Sequence, residues 1–316
     1  MHTRRFRFIY KRLLSLIPLI LAVLFVTTVL LDLTPGDPAR LVAGPRADDE
    51  QVQEVSKQLG LDRPLLVRYV LYVWGILHGD FGTSFKTGKD VGEQIATQLP
   101  ITLSIAFGAI VFALLITVPL AMWAAKHEGR WQDHLTRVVG ALCIGLPSFW
   151  VAIMLITYVA LPSGKIPVAG IGETAGQHVL AMLLPIVTVS LGLIPPMVRS
   201  LRATLLETEH SDFVLAAQTL GFSGSELTWS FIMRNAVGPL VTVATAQAGF
   251  ALFGTTVVEV AFGLPGIGQG LVTAASSRDF PLVQGYTFVF AVIIIVLYLV
   301  SDVISAAVDP RVRIES

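Results

Sequence analysis

Few side chains in this chain of 316 residues have the types and spacing that catalysis or metal binding requires. His127, Asp133 and His134 form the densest group, and imidazole and carboxylate are both metal ligands. A short solvated loop explains all three residues without a bound ion. We therefore predict no catalytic residue and no metal-binding residue in this chain.

Nucleotide binding is not indicated either. The chain contains no Gly-x-x-x-x-Gly-Lys-Ser/Thr sequence, the pattern that holds phosphates in P-loop proteins. Residues 266–270, Gly-Ile-Gly-Gln-Gly, resemble a dinucleotide-binding loop only superficially, because they follow a long apolar run rather than a strand. We predict instead that Pro265, Gly266 and Gly268 form a tight outer turn, or gate, at which helix ends pack at the mouth of a pathway. We expect this chain to hold no cofactor.

The most orderly polar stretch is residues 212–222, Asp-Phe-Val-Leu-Ala-Ala-Gln-Thr-Leu-Gly-Phe, which lies between two long apolar runs. Apolar residues recur at helical spacing over Ala203–Leu220, and Gly221 suits the position after a helix end, where φ is positive. Ser223 followed by Glu226 is a capping-box pair that predicts a second helix directly afterwards. The stretch is therefore predicted to be a pair of helices.

Small side chains in the first of these helices would let another protein approach its backbone closely. We interpret residues 203–222 as a helix that inserts into a groove of a partner; the alternative is a helical hairpin that lies on the membrane surface. The candidate contact residues are Asp212, Phe213, Ala216, Ala217, Gly221 and Phe222.

Composition places most of the chain away from water. Hydrophobic residues make up 54%, charged residues 14%, and the mean hydropathy is +0.73, whereas soluble domains carry about 25% charged residues. The net charge is zero, so nucleic acid is not an expected partner. The single cysteine, Cys143, excludes internal disulfides and leaves the compartment undecided.

Six segments are long enough to cross a bilayer, which takes about 20 apolar residues. Each of them lacks Asp, Glu, Lys and Arg, and a charge at mid-bilayer costs about 2.5–3.5 kcal/mol on insertion scales. No alternating barrel pattern is present, so we predict helices. The segments are Leu13–Leu31, Leu99–Ala125, Val138–Gly164, Val179–Val198, Ala236–Val258 and Leu282–Ser301.

The orientation follows from the Lys and Arg residues that flank these spans. With the N-terminus inside, the segments 1–12, 126–137 and 199–235 and the C-terminal tail hold five, three, three and two of them. The short outer loops hold only Lys165 and Arg278. Both termini are therefore predicted to be cytoplasmic. The first span has no cleavage site and is expected to be an uncleaved anchor.

The first loop, residues 32–98, is predicted to fold as a small helical region on the outer face. Asp48–Leu59 is typical of a short helix that Gly60 ends. Pro64 can start a second helix, whose apolar residues recur at helical spacing until Gly79. This region is either a scaffold or a docking surface for an external protein.

Several short motifs occur in a fixed order along the chain. Because of these motifs, the chain resembles the inner-membrane permease subunits of bacterial ABC importers of the dipeptide and oligopeptide class. The resemblance extends over the full length of the chain. The motifs are Pro35-Gly-Asp-Pro38, Gly60-Leu-Asp-Arg-Pro64, Arg68-Tyr69 with Trp74, Gly79-Asp-Phe-Gly-Thr-Ser84, residues 212–222, residues 258–268, Arg278-Asp-Phe-Pro281 and Asp309-Pro-Arg-Val-Arg313.

The resemblance departs from the general importer pattern at two positions of the 212–222 motif. Leu215 stands where that motif has Glu, and Arg234 stands where it has a later Pro. The peptide branch of the family commonly lacks this Glu, so coupling is still expected, but no salt bridge from position 215 can contribute to it.

The resemblance implies a complex in the cytoplasmic membrane of a bacterium. Its other members would be a second homologous permease subunit, two ATP-binding-cassette subunits that hold ATP and Mg²⁺, and an extracytoplasmic peptide-binding protein, all surrounded by membrane lipid. The chain would be a transport subunit rather than an enzyme. Nickel and glutathione carriers share the motifs, so their substrates stay open as alternatives, as does a proton-coupled peptide symporter.

The fold class that follows is an all-α membrane protein with six transmembrane helices. We expect three regions: a cytoplasmic N-terminus with the first span (1–31), the extracytoplasmic helical loop (32–98), and a five-span permease domain (99–316) whose coupling loop is 199–235. The sequence does not name the substrate-binding residues. Prolines within spans, such as Pro119, Pro147 and Pro195, can produce kinks.

Overall fold

A computed structural model describes residues 17–30, 33, 38–44, 46–58, 60–172 and 174–308. Within these residues the chain is helical, and β-structure is limited to one isolated bridge between Thr83 and Asp90. The predicted all-α class is confirmed for this part of the chain. The motifs 35–37 and 309–313 and the first residues of the predicted first span lie outside the described residues.

We number the helices α1 to α12 in chain order. Their bounds are α1 Ile17–Leu30, α2 Pro38–Ala43, α3 Asp49–Gln58, α4 Leu65–Leu77, α5 Val91–Lys126, α6 Trp131–Gly145, α7 Ser148–Ser163, α8 Ala175–Glu209, α9 Asp212–Thr219, α10 Gly224–Phe262, α11 Ile267–Ser277 and α12 Phe280–Val308.

Four of the described helices are long and apolar enough to cross a membrane: α5, α8, α10 and the part of α12 up to Ser301. A fifth crossing is formed by α6 and α7 if the two count as one span, with a bend of 98° between them. Pro147 lies at this bend and precedes α7, so its predicted kink is confirmed. The helix instead continues through Pro119 and Pro195.

The described residues divide into two compact units. The first contains the residues up to Ile101 together with Pro265–Ile295, and the second contains Thr102–Leu264 and the residues from Val296 onward. In the first unit a buried cluster around Val91, Ile267 and Tyr286 forms the core.

Glycine permits close helix contacts in this core. A Cβ atom at Gly285 would lie 2.6 Å from Val91 Cγ1, and one at Gly270 would lie 2.5 Å from Gln98 Oε1. A larger residue at either position would have to push its neighbour away.

The second unit is built mainly on the contact between α8 and α10, and small residues line its core. Buried alanines recur along these helices and α5, including Ala109, Ala113, Ala244 and Ala248. A Cβ atom at Gly108 would lie 2.6 Å from Ile186 Cδ1, so this glycine is needed for the close approach of α5 and α8.

The predicted helices of the first loop are present. α3 runs over Asp49–Gln58, close to the predicted Asp48–Leu59, and Gly60 follows with φ of 65°. α4 begins after Pro64, as predicted, and ends before Gly79, whose φ is 79°. Most of the apolar side chains of α4 are exposed.

Candidate functional site

The coupling segment, residues 199–235, holds one short helix between two long ones. α8 ends at Glu209, α9 spans Asp212–Thr219, and α10 begins at Gly224. Because α8 and α10 both have the length and composition of membrane spans, only a few residues separate α9 from a span on either side. A displacement of α9 would therefore act directly on both long helices.

The prediction of one continuous helix over Ala203–Leu220 is wrong, because the helix is interrupted at Ser211. Residues up to Glu209 continue α8, whereas Ser211 has extended backbone angles (φ −77°, ψ 148°). The Ser211 hydroxyl donates a hydrogen bond of 2.5 Å to the carbonyl oxygen of Thr208. Side-chain bonding of this kind competes with the helical backbone bonds and favours a helix boundary.

The predicted end of the coupling helix is confirmed. Gly221 has φ of 95°, and its N–H donates to the carbonyl oxygen of Gln218 at 3.0 Å. The N–H of Phe222 donates to the carbonyl oxygen of Ala217 at 3.1 Å. These two bonds form a Schellman motif, which satisfies the last carbonyl groups of α9 and requires a left-handed residue at Gly221.

The predicted capping box at Ser223 is wrong. Ser223 has extended backbone angles and precedes α10, but its side chain makes no capping hydrogen bond. The next residue, Gly224, has a positive φ of 58°, which turns the chain between Ser223 and Glu226. The predicted second helix is present as the first part of α10, and a π-helical stretch, Thr228–Met233, follows within the same helix.

The candidate contact residues fall into two groups. Asp212, Phe213 and Ala216 are exposed on α9, as is the neighbouring Leu220. Ala217 is buried, so it faces the interior of its own chain rather than a partner. Of the other two, Gly221 is exposed at the turn, and the Phe222 ring packs against Phe231 with centroids 5.0 Å apart. The surface open to a partner is therefore the outward face of α9.

An ion-pair cluster that the sequence did not indicate connects α6 to α8. The Asp133 carboxylate is fully buried, and Arg202 approaches it with Nε–Oδ1 and Nη2–Oδ2 distances of 2.6 and 2.7 Å. Arg137 Nη2 lies 2.5 Å from Asp133 Oδ2, and the N–H of Gly129 donates to the same oxygen at 3.1 Å. Interpreting Asp133 as part of a solvated loop is therefore wrong.

The histidines beside Asp133 do not join this cluster. His127 bonds through Nδ1 to the carbonyl oxygen of Trp123 at 2.8 Å, and His134 is exposed. In the part of the chain that the structure describes, no group of three or more His, Cys, Asp or Glu side chains is placed to hold a metal ion.

The predicted outer turn is partly helical. Gly266 precedes α11 with extended angles, and Gly268 lies inside that helix. Both glycines are buried, whereas Pro265 is exposed. The turn itself therefore comes earlier than predicted, where Gly263 ends α10 with φ of 59°.

Two motifs of the first unit meet at Asp279. Its buried carboxylate accepts a hydrogen bond of 2.5 Å from the Ser84 hydroxyl and further bonds from the N–H groups of Phe85 and Lys86, at 3.1 and 3.4 Å. The sequence placed these motifs about 195 residues apart without indicating their contact. Asp279 thereby fixes the end of α11 to the residues that follow α4.

A second buried carboxylate lies in the second unit. Glu259 of α10 is fully buried and accepts a hydrogen bond of 2.6 Å from the Thr102 hydroxyl on α5. A buried carboxylate is costly unless it is hydrogen-bonded, so this contact ties α5 to α10.

A cavity of about 480 Å³ in the second unit lies among α6, α7, α8 and α10. Its polar lining includes Ser148, Thr188 and Gln247, and Phe250 lies at the exposed edge. The remaining lining is mostly apolar or glycine. Such a surface offers weak hydrogen bonding without a fixed charge.

Two family models match the chain. The model described as "Binding-protein-dependent transport system inner membrane component" covers residues 117–314, and that of the N-terminal part of such components covers residues 5–106.

Curated relatives match nearly the whole chain. The "Probable D,D-dipeptide transport system permease protein DdpB" of Escherichia coli K12 is 34% identical and covers 96% of both chains. The "Glutathione transport system permease protein GsiC" of Salmonella paratyphi A is 35% identical, covering 97% of this chain and 98% of the relative.

Two solved structures share the fold. Inward-facing MetNI, a methionine ABC transporter, matches with a TM-score of 0.52 at 17% identity, over 68% of this chain and 96% of the solved one. An amino acid ABC transporter crystallised with histidines matches with a TM-score of 0.50 at 15% identity, over 68% and 94%. The chain therefore belongs to the inner-membrane components of binding-protein-dependent transport systems, and it is the permease subunit of an ABC importer.

Proposed function

We propose that this permease subunit imports dipeptides or short oligopeptides. The observation that carries the proposal is that relatives at 34–35% identity over almost the full chain are named for D,D-dipeptide and glutathione transport. Glutathione is itself a tripeptide, so both names describe small peptide substrates that carry an amine and at least one carboxylate. The weakly polar cavity lined by Ser148, Thr188 and Gln247 supports a pathway that tolerates varied side chains.

The proposed assembly contains this chain, a second homologous permease, two ATP-binding subunits and an extracytoplasmic peptide-binding protein. ATP and Mg²⁺ belong to the ATP-binding subunits, and this chain hydrolyses nothing. The exposed face of α9, with Asp212, Phe213 and Ala216, is the contact for an ATP-binding subunit. The exposed edge of the 480 Å³ cavity at Phe250 is completed by the second permease.

The proposed membrane arrangement has six spans and both termini in the cytoplasm. The described helix α1 supplies most of the first span, α6 and α7 together supply the third, and the four long helices supply the others. The excess of Lys and Arg beside α5, α6, α8 and α10 supports a cytoplasmic position for the coupling segment. The first loop and the turn at Pro265 and Gly266 then lie outside, where the binding protein delivers its peptide.

The proposed mechanism follows from the short connections around α9. ATP-driven closure of the ATP-binding subunits moves α9, and α8 and α10 transmit the movement because they are joined to it through a few residues only. The Asp133–Arg202 pair carries the movement to α6. The cavity between these helices then changes its access.

Uptake by a strain that lacks the gene tests the substrate. We expect uptake of labelled dipeptides and tripeptides to be lost and nickel accumulation to be unchanged, with recovery when the gene is returned. Loss of glutathione uptake alone would favour a second candidate function, glutathione import, which the relative named for glutathione transport supports. Loss of nickel uptake with peptide uptake intact would contradict the proposal, and uptake that a protonophore abolishes while ATP is maintained would indicate a symporter.

A further inference from the structure

Helix α4 of the first loop has an apolar face that nothing in the described chain covers. Leu66, Val70, Trp74 and Leu77 are 66%, 62%, 64% and 73% exposed. They recur every three or four residues, so they share one side of the helix. None of the residues of α4 is buried.

The position of α4 along α1 is fixed by two contacts of Tyr69. The Tyr69 hydroxyl donates a hydrogen bond of 3.1 Å to the carbonyl oxygen of Leu21, and its ring meets Phe25 edge to face with centroids 5.5 Å apart. Leu21 lies nine residues before Leu30, the last residue of the described stretch 17–30, which lies next to Leu31, the predicted end of the first span. At a rise of about 1.5 Å per residue this is roughly 13 Å along the helix, close to half the thickness of the hydrocarbon layer.

Helix α1, which α4 contacts through Tyr69, also exposes apolar side chains. Phe25, Val26 and Leu30 of α1 are exposed and apolar. If α1 is the first span of the proposed arrangement, a helix that contacts it at Leu21 and Phe25 lies at the depth of lipid chains.

The polar side of α4 faces a cavity within the first unit. Arg68 and Tyr72 line a cavity of about 410 Å³ together with Lys57 and Arg63, and Gly75 of α4 also lines it. Burial raises the pKa of the Tyr72 hydroxyl above its ordinary value. The charges of this region therefore lie on the side of α4 that faces its own chain, which leaves the opposite side suited to an apolar environment.

We infer that α4 is embedded in the outer leaflet of the membrane and that lipid acyl chains cover Leu66, Val70, Trp74 and Leu77. At 13 residues it is too short to span, so it enters and leaves on the same side. The inference rests on the proposed function in one respect, that α1 crosses the membrane. If lipid covers this face of α4, a binding protein cannot contact the first loop there.

Site-directed spin labelling of the complete transporter in lipid nanodiscs tests the inference. In a Cys143→Ser background, one label each is placed through Val70→Cys, Val26→Cys and Thr87→Cys. Val26 is an exposed apolar residue of α1, and Thr87 is an exposed polar residue of the same unit. Accessibility to oxygen, which concentrates in lipid, is compared with accessibility to a water-soluble nickel chelate.

We expect the ratio of oxygen to nickel accessibility at Val70 to match that at Val26 and to exceed that at Thr87 several-fold. A ratio at Val70 equal to that at Thr87 would overturn the inference, because the face would be in water. Poor access of both reagents would overturn it too, because protein would cover the face; repeating the measurement without the binding protein then identifies which partner does so.

The label at Val26 separates this inference from the proposed function. If Val26 itself is accessible to the nickel chelate, α1 does not cross the membrane and the six-span arrangement fails. If Val26 is in lipid and Val70 is not, the arrangement stands and only the placement of α4 is wrong.

Discussion

At the scale of single residues, Asp133 is a buried charge that joins α6 to α8 in the second unit. It accepts bonds from Arg137, Arg202 and the N–H of Gly129 at once, and its own side chain is fully buried. The Arg202 side chain is mostly buried as well, whereas that of Arg137 is 55% exposed. The two arginines should therefore contribute unequally.

Removing the carboxylate should destabilise the subunit more than removing either arginine. Asp133→Ala leaves a buried guanidinium at Arg202 without its anion, and breaking a buried pair in this way costs about 3–5 kcal/mol. Arg137→Gln should cost no more than about 1 kcal/mol, because exposed ion pairs are screened by solvent. Thermal unfolding of the purified complex measures both.

A paired substitution identifies the partner. If Asp133 and Arg202 act as one pair, Asp133→Leu combined with Arg202→Met should recover much of the stability that Asp133→Leu alone loses, since apolar residues can replace a buried ion pair. Equal losses for Asp133→Ala and Arg137→Gln would instead mean that the cluster is solvated. ATP-dependent uptake by the stable double variant then measures how far this contact couples α6 to α8.

At the scale of elements, the end of α9 is set by one glycine. Gly221 has φ of 95°, and a Cβ atom there would meet nothing within 4 Å. The cost of a side chain is therefore conformational rather than steric, and a left-handed residue other than glycine costs about 1–2 kcal/mol.

We predict that Gly221→Val lowers ATP-dependent uptake several-fold while the subunit is still inserted, because the strain falls on the turn between α9 and α10. Gly170→Val is a matched control: Gly170 has φ of 74°, its Cβ position is also open, and it lies in the connection between α7 and α8, away from α9. Both variants should lose similar stability. Only Gly221→Val should separate ATP hydrolysis from uptake; equal uptake by the two variants would argue against α9 as the coupling element.

Local signals predicted the boundaries of elements where one residue decides them. The helix ends at Gly79 and Gly221 could be predicted, because the residue that follows a helix often has left-handed backbone angles and is then usually glycine. Asp133 was interpreted as a residue of a short solvated loop, together with His127 and His134. It is instead buried within α6, where Arg202, 69 residues away, pairs with it, and such a pairing has no local trace in the sequence.

The break between α8 and α9 was missed for the opposite reason. The apolar spacing over 203–220 is continuous and favoured one helix. Ser211, however, lies at the N-cap position of α9, and Asp212 follows in its first turn, a combination that is typical of a helix start. By contrast, the contact between Ser84 and Asp279 had no local signal, although both residues lie in motifs that the resemblance had singled out.

At the scale of the whole molecule, the orientation of the spans decides where every site lies. The charge distribution predicts that the coupling segment lies in the cytoplasm and the first loop outside, with thirteen Lys and Arg residues in the predicted inner segments against two in the predicted short outer loops. If the orientation were reversed, α9 could not meet the ATP-binding subunits and the 265–268 turn could not meet a binding protein.

Cysteine labelling of sealed cells checks this orientation. In a Cys143→Ser background, Thr83→Cys and Ser225→Cys each place one thiol at an exposed position, in the first loop and in the coupling segment respectively. A membrane-impermeant maleimide should modify the first and leave the second unmodified until the cells are broken, because the bilayer lies between the reagent and Ser225. Labelling of Ser225→Cys in intact cells, with a cytosolic thiol protein unlabelled as the control for leakage, would place the coupling segment outside. The ATP-driven mechanism could not then operate through α9, since ATP is available only on the cytoplasmic side.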